Sequence, residues 1–173
     1  MTAERSTRDR LLDSFETLLV SDGSRAATLE AVAAHAGASK GGLLYHFHTK
    51  DELIGAMLDR LRDHAAADVE RMRVAPEGPA AYYLNTSVDS GSDFDRALIA
   101  TARIAQENVD AASETLDAVR ADWLAVLFEH LNDRPLAQAI QLMGDGLYFN
   151  DTTGNQDPQA LTSAHEILKR LGL

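Results

Sequence analysis

The sequence predicts an all-α protein, and three observations carry that prediction. Only four prolines interrupt 173 residues, apolar side chains recur at helical spacing, and nowhere is there the sustained β-branched alternation of a strand. Several of the apolar stripes also begin beside a residue able to cap a helix.

The first helix is expected from about Thr7 to Leu19, with Leu11, Leu12, Phe15, Leu18 and Leu19 on one face and Ser6 with Asp9 able to form a capping box. "SDGSR" breaks it. Thr28 can cap a short second helix, "LEAVAAHA", which Gly37 ends, and Ser39 can cap a third, "KGGLLYH". In "HTKDEL", Thr49 at the N-cap and Glu52 at N3 make a full capping box that opens a fourth helix running to about Arg73. "VAPEGPA" is the clearest break in the chain. Beyond it five helices are expected, at about 79–88, 93–106, 110–131, 135–151 and 158–171. The last has Asp157 as N-cap, Pro158 at N1 and Gly172 at its end.

Composition narrows the classes of function. Hydrophobic residues make up 45% of the chain, enough for a core, and no cysteine is present, which excludes a disulfide scaffold and thiolate zinc sites. No run of about 18 apolar residues occurs and the N-terminus lacks the apolar stretch of a signal peptide, so a cytoplasmic protein with no membrane partner is expected. The formal net charge is −11 but is unevenly placed. Residues 1–62 hold eight basic and nine acidic side chains, whereas the remainder holds eight basic and eighteen acidic. An anion-binding front end on an acidic body is compatible with that asymmetry.

The second and third helices, joined by "AGAS", have the proportions of a helix-turn-helix, whose second helix lies in the major groove of DNA. Leu29, Val32, Leu43 and Leu44 fall at inward-facing positions. Gly41 and Gly42 cost roughly 1 kcal/mol each against alanine inside a helix, a cost that close approach to another backbone would explain. Composition alone leaves a poorly helical loop as the other reading. Lys50 stands at N1 of the fourth helix, where the dipole disfavours a cation unless an anion lies against it. Thr28, Tyr45 and His46 are donors suited to phosphate oxygens, and Lys40 can reach base edges. A lone surface lysine is usually just solvated; five such groups within 23 residues are harder to dismiss. His46 and His48 fall on different sides of a helix with no acidic partner at ligand spacing, which reads against a metal.

"TLEAVAAHAGASKGGLLYHFHTKDELIGAML" resembles the TetR family of bacterial transcriptional repressors, with the threonine-led helix, "AGxS", a small residue and "LYxHFxxKxxL" all in place. The resemblance covers roughly residues 7–58. It implies about nine helices, with a DNA-binding head over residues 1–48 and a ligand-binding and dimerisation body over 49–173, the fourth helix (about 50–73) connecting the two. It maps DNA contacts onto Thr28, Ser39, Lys40, Gly41, Tyr45, His46 and Lys50. The paired glycines are a variation within the family and leave base specificity less readable. The C-terminal half is similar to a multidrug-responsive actinobacterial subgroup, on Trp123 and "DGLYFND".

If that layout holds, Trp123 faces a ligand pocket, with Phe94, Leu98, Ala102, Leu127 and Met143 able to line it and Asn85 and Asp145 to orient a ligand. Stripes of this kind also serve as plain core. Leu136, Ile140, Met143 and Leu147, with Leu161, Leu168 and Leu171, exceed what one small body needs to cover and are expected to be buried by pairing with a second copy, with Leu136, Ile140, Leu147, Leu161 and Leu168 at the dimer interface. A dimer places two recognition helices about 34–36 Å apart, as a palindrome requires. The expected function is a repressor that binds a palindromic double-stranded DNA operator as a homodimer and is released by a small apolar or aromatic effector. An effector-independent DNA-binding regulator, controlled by abundance or a protein partner, is the alternative. No nucleophile–base grouping, metal-ligand spacing or phosphate loop points to an enzyme, and no cofactor is expected.

Overall fold

The computed structural model describes residues 5–88 and 91–173, and among these every regular element is helical. The helices are α1 (Thr7–Ser21), α2 (Leu29–His35), α3 (Lys40–His46), α4 (Lys50–Arg73), α5 (Pro79–Thr86), α6 (Asp93–Ala105), α7 (Asp110–Leu131), α8 (Arg134–Thr152) and α9 (Ala160–Leu171). The all-α expectation holds, and α3, α4 and α7 have the expected bounds.

Local chemistry explains most of the helix ends. Ser6, Thr28 and Ser39 each accept a hydrogen bond from the backbone N–H three residues on, at 3.1, 3.2 and 3.0 Å. Gly37 and Gly172 adopt φ of 64° and 79°, the left-handed conformation that stops a helix. The box opening α4 is skewed: Glu52 N–H donates to Thr49 Oγ1 at 3.1 Å, but the Glu52 carboxylate accepts from His48 N–H at 2.7 Å, one residue before the N-cap. Asp157 does not cap α9. Its carboxylate accepts from Gln159 N–H at 2.9 Å and its carbonyl from Ala160 N–H at 3.0 Å, which closes a separate turn. The helix therefore starts two residues later than expected.

The chain packs as two compact units. The first comprises residues up to Asp63 together with Asp93–Leu116, so it is wider than the 1–48 head: α6 packs along α1, which also holds α2 and α3. Its core gathers Leu11, Phe15, Leu19, Val32, Leu43, Leu53, Met57 and Ile104. Glu16 is fully buried on α1 between Arg60 (3.3 Å) and Arg96 (3.2 Å). Burial holds its carboxyl above the usual carboxylate range, against the pull of the two guanidiniums.

The second unit comprises His64–Ser92 and Asp117–Leu173, with α5 packed on α8 and α9. Gly144 on α8 lies close against Tyr83 of α5 and the following Ser87. A Cβ there would stand 2.4 Å from Tyr83 Cε1 and 2.9 Å from Ser87 Oγ. The Tyr83 ring cannot swing away freely, because its hydroxyl donates to Asp145 Oδ1 at 3.0 Å. Gly144→Ala should therefore destabilise the fold by about 2 kcal/mol, the usual scale of overpacking, read as a lower melting temperature.

Candidate nucleic-acid interface

α2 and α3 form the helix-turn-helix. Val32, Ala33 and Leu43 are buried beneath it, and Leu29 and Leu44 are half-buried, so the apolar side of both short helices is spent on the core. The opposite side of α3 is open. Tyr45 is 83% exposed and meets the His46 ring edge-on, with centroids 5.1 Å apart. Gly41 is exposed, and a Cβ built there would have only Ser39 Oγ near it, at 4.0 Å. Nothing inside the head requires this glycine.

The residues expected to contact DNA fall into three groups. Tyr45 and Lys40 project from α3 into solvent, and Gly41 leaves bare backbone between them. Thr28 and Ser39 already use their hydroxyl oxygens as caps, which leaves each hydroxyl hydrogen to give outward. Lys50 behaves differently from the expectation of a waiting phosphate ligand. It is half-buried and its Nζ donates to the carbonyl of Ser24 and, at 2.8 Å, to the Ser24 hydroxyl, so it fastens the turn before α2 to the start of α4. His46 is half-buried against Tyr45 and Phe47.

Two side chains of this surface were not singled out by sequence. Arg8, in the first turn of α1, lies over the Phe47 ring at 5.4 Å, exposed at the C-terminal end of α3. Glu30, in the first turn of α2, holds Lys40 Nζ at 2.7 Å. Neither contact has a local sequence signal; both arise from how the helices pack. Among the described residues no cluster of acidic, histidine or cysteine side chains could hold a metal ion, and no helix is long and apolar enough to cross a membrane.

Residues 11–57 match the family described as bacterial regulatory proteins, tetR family. Over those residues the head is similar to the N-terminal domain of that family. Solved structures agree on the fold over nearly the whole chain. The SmeT–triclosan complex is 20% identical with a TM-score of 0.69, covering 92% of this chain and 90% of its own. The multidrug binding protein EbrR, complexed with imidazole, is 20% identical at TM-score 0.66, covering 97% and 96%. A TetR transcription regulator from Haloarcula marismortui is 18% identical at 0.61, covering 95% of each chain. No curated protein matches the sequence.

The expected ligand residues are divided between the two units. Phe94, Leu98 and Ala102 are half-buried on α6 in the first unit, while Asn85, Trp123, Leu127, Met143 and Asp145 belong to the second. Within the second unit Trp123 is committed to a polar cluster. Its Nε1–H donates to Asp68 Oδ2 at 2.9 Å, and its ring meets Tyr83 edge-on at 5.7 Å. Tyr82 OH donates to Asp68 Oδ1 at 2.8 Å, and Arg71 pairs with the same oxygen at 3.2 Å. Asp145 takes the Tyr83 hydroxyl and pairs with Arg120 at 2.6 Å, which holds the guanidinium above its ordinary value; burial, then Asp145, pushes the Tyr83 phenol up as well. Asn85 Oδ1 lies 2.7 Å from His165 Nε2, and Leu127 is fully buried. A surface cleft of about 240 Å³ in this unit is lined by Glu77, Gly78, His130, His165 and Lys169 among others, and by none of the expected ligand residues.

The residues expected at an interface differ in how far their own chain covers them. Ile140, Leu147 and Leu168 are 1%, 8% and 3% exposed within their own chain, and Leu136 and Leu161 are half-buried. Leu171, also expected there, is 51% exposed, and α8 and α9 further leave Leu142, Phe149 and Ile167 in solvent, at 67%, 65% and 43%. Both helices therefore carry a second apolar stripe.

Proposed function

We propose that the chain is a ligand-responsive repressor that binds a palindromic operator as a homodimer, with residues 1–48 as the DNA-binding head and 49–173 as the ligand-binding and dimerisation body. The observation that carries the reading is the capped α2–α3 pair, whose exposed face combines Tyr45, Lys40 and a glycine that the head itself does not need. In this reading α3 enters the major groove, Lys40 and Tyr45 reach base edges and phosphates, and Thr28, Ser39, His46 and Arg8 give hydrogen bonds to the backbone. Lys50 contributes by holding the turn before α2.

Dimerisation is supported by the solvent-facing pairs Leu142/Phe149 and Ile167/Leu171, each at the spacing of one helix face. A small aromatic effector is supported by the triclosan bound to SmeT and by the multidrug binding ascribed to EbrR. The net charge of −11 implies that affinity comes from few, well-placed phosphate contacts, so binding should fall clearly as salt rises.

The test is selection of bound duplexes from a random pool, then anisotropy titration. The wild type should enrich a palindrome with half-sites one helical turn apart, and Tyr45→Ala should bind it roughly tenfold or more weakly, about 1.4 kcal/mol. Enrichment of no sequence at low salt would remove the regulator reading.

A further inference from the structure

The first turn of α3 offers one long side chain to a groove. Gly41 and Gly42 are bare and Leu43 is buried, which leaves Lys40 alone at that end of the recognition helix. Lys40 does not extend freely. Its Nζ is held 2.7 Å from Glu30 Oε1, and both side chains stay about 60% exposed, at 62% and 63%. An exposed ion pair of this kind adds little to stability, so the fold does not account for it. It also sets a carboxylate on the surface that must meet the phosphates of DNA, where a free acid is repelled. An acidic group is useful there only if it meets a donor.

We propose that Glu30 and Lys40 act together as a reader of one G·C base pair, with Glu30 a specificity-determining residue of this interface. The proposal rests on the regulator reading above. The chemistry is directional. Across the major groove a G·C pair presents two acceptors, guanine N7 and O6, followed by one donor, cytosine N4. Lys40 supplies an ammonium for the two acceptors, and Glu30 supplies an acceptor for the amine. Guanine O6 and cytosine N4 are themselves hydrogen-bonded, so they lie about 2.9 Å apart, close to the Nζ–Oε1 spacing of 2.7 Å. An A·T pair presents acceptor, donor, acceptor and methyl, which sets adenine N6 against the ammonium. A reversed C·G pair sets the amine under the lysine. A T·A pair repeats the acceptor-then-donor order with thymine O4 and adenine N6, but sets the thymine methyl where the ammonium would find its second acceptor. G·C is the one pair that gives the ammonium two acceptors beside the amine, and the bare backbone at Gly41 and Gly42 lets the side chains come close enough to use them. Glu30 also limits the swing of Lys40 toward phosphate, where that lysine would bind every sequence equally.

The experiment compares duplexes selected from a random pool by the full-length wild type, Glu30→Ala and Lys40→Ala, followed by anisotropy titration of single-base-pair variants. Both side chains lie exposed at helix starts, and circular dichroism melting checks that the variants fold. The wild type should require G·C at one position of each half-site, with about tenfold or greater loss for any other pair there. Glu30→Ala should relax that position to a few-fold preference, leave the other positions intact and bind scrambled duplex more tightly. Lys40→Ala should relax the same position. An unchanged G·C requirement in Glu30→Ala, or an equal loosening at every position, would overturn the proposal while leaving the regulator reading in place. A wild type that enriches no sequence would overturn both.

Discussion

Replacing Asp68 by alanine should cost the second unit about 3 kcal/mol, the largest single effect expected from a polar substitution in this chain. Asp68 is 7% exposed and accepts from Trp123 Nε1 and Tyr82 OH. Alanine would remove the acceptor that the indole N–H uses, in a ring only 9% exposed, and taking away the partner of a buried donor costs about 1–3 kcal/mol. Tyr82 is only half-buried and can turn to water, so its share is smaller. Arg71, largely exposed, loses a partner at little cost. Asp68→Asn separates these contributions. It keeps an acceptor for the indole and removes the charge, and should cost less than half as much. Thermal unfolding followed by Trp123 fluorescence reads both variants, since the one tryptophan of the chain sits on the group being changed. If Asp68→Ala unfolds like the wild type, the cluster is not what holds the unit together.

What was legible in the sequence was local. Each helix start marked by Ser6, Thr28 or Ser39 could be read because the capping bond closes within three residues, and the stops at Gly37 and Gly172 because only the left-handed region is needed. The head was legible in the same way: short helices, fixed turn and dense signature lie within residues 28–54. What was not legible depends on distant partners. Lys50 looks like a cation at a helix start, and only the position of Ser24, 26 residues away, makes it a clasp. Trp123 looks like a pocket wall, and only Asp68, 55 residues away, fixes its indole N–H inside the unit.

The two faces of α8 show the same limit. Ile140 and Leu147 are seven residues apart, and so are Leu142 and Phe149. Periodicity identifies both stripes and ranks neither. The choice is made by α5, which packs against α8 at Gly144 and so turns Ile140 and Leu147 inward. The consequence is concrete: the apolar side chains that α8 and α9 leave uncovered within the chain include Leu142, Phe149, Ile167 and Leu171.

Gly41→Ala should move stability and DNA binding in opposite directions. Gly41 lies in a helix, is exposed, and has open space where a Cβ would go, so alanine relieves the entropic penalty of glycine and should stabilise the head by up to about 1 kcal/mol. Gly42 is the contrasting neighbour: a Cβ there would come within 3.3 Å of Ser39 Oγ, the atom that caps its own N–H, so Gly42→Ala should gain less or lose stability. A methyl group on Gly41 projects from the outer face of α3, between Lys40 and Tyr45, and would hold that backbone away from the base edges. Binding to the selected palindrome should weaken roughly tenfold or more, about 1.4 kcal/mol, while the melting temperature rises. A core defect would lower both quantities, and a mere surface loop would change neither. If Gly41→Ala melts higher and binds as well as the wild type, the bare backbone of α3 is not an approach surface, and a glycine in the first turn of a capped helix has no binding role.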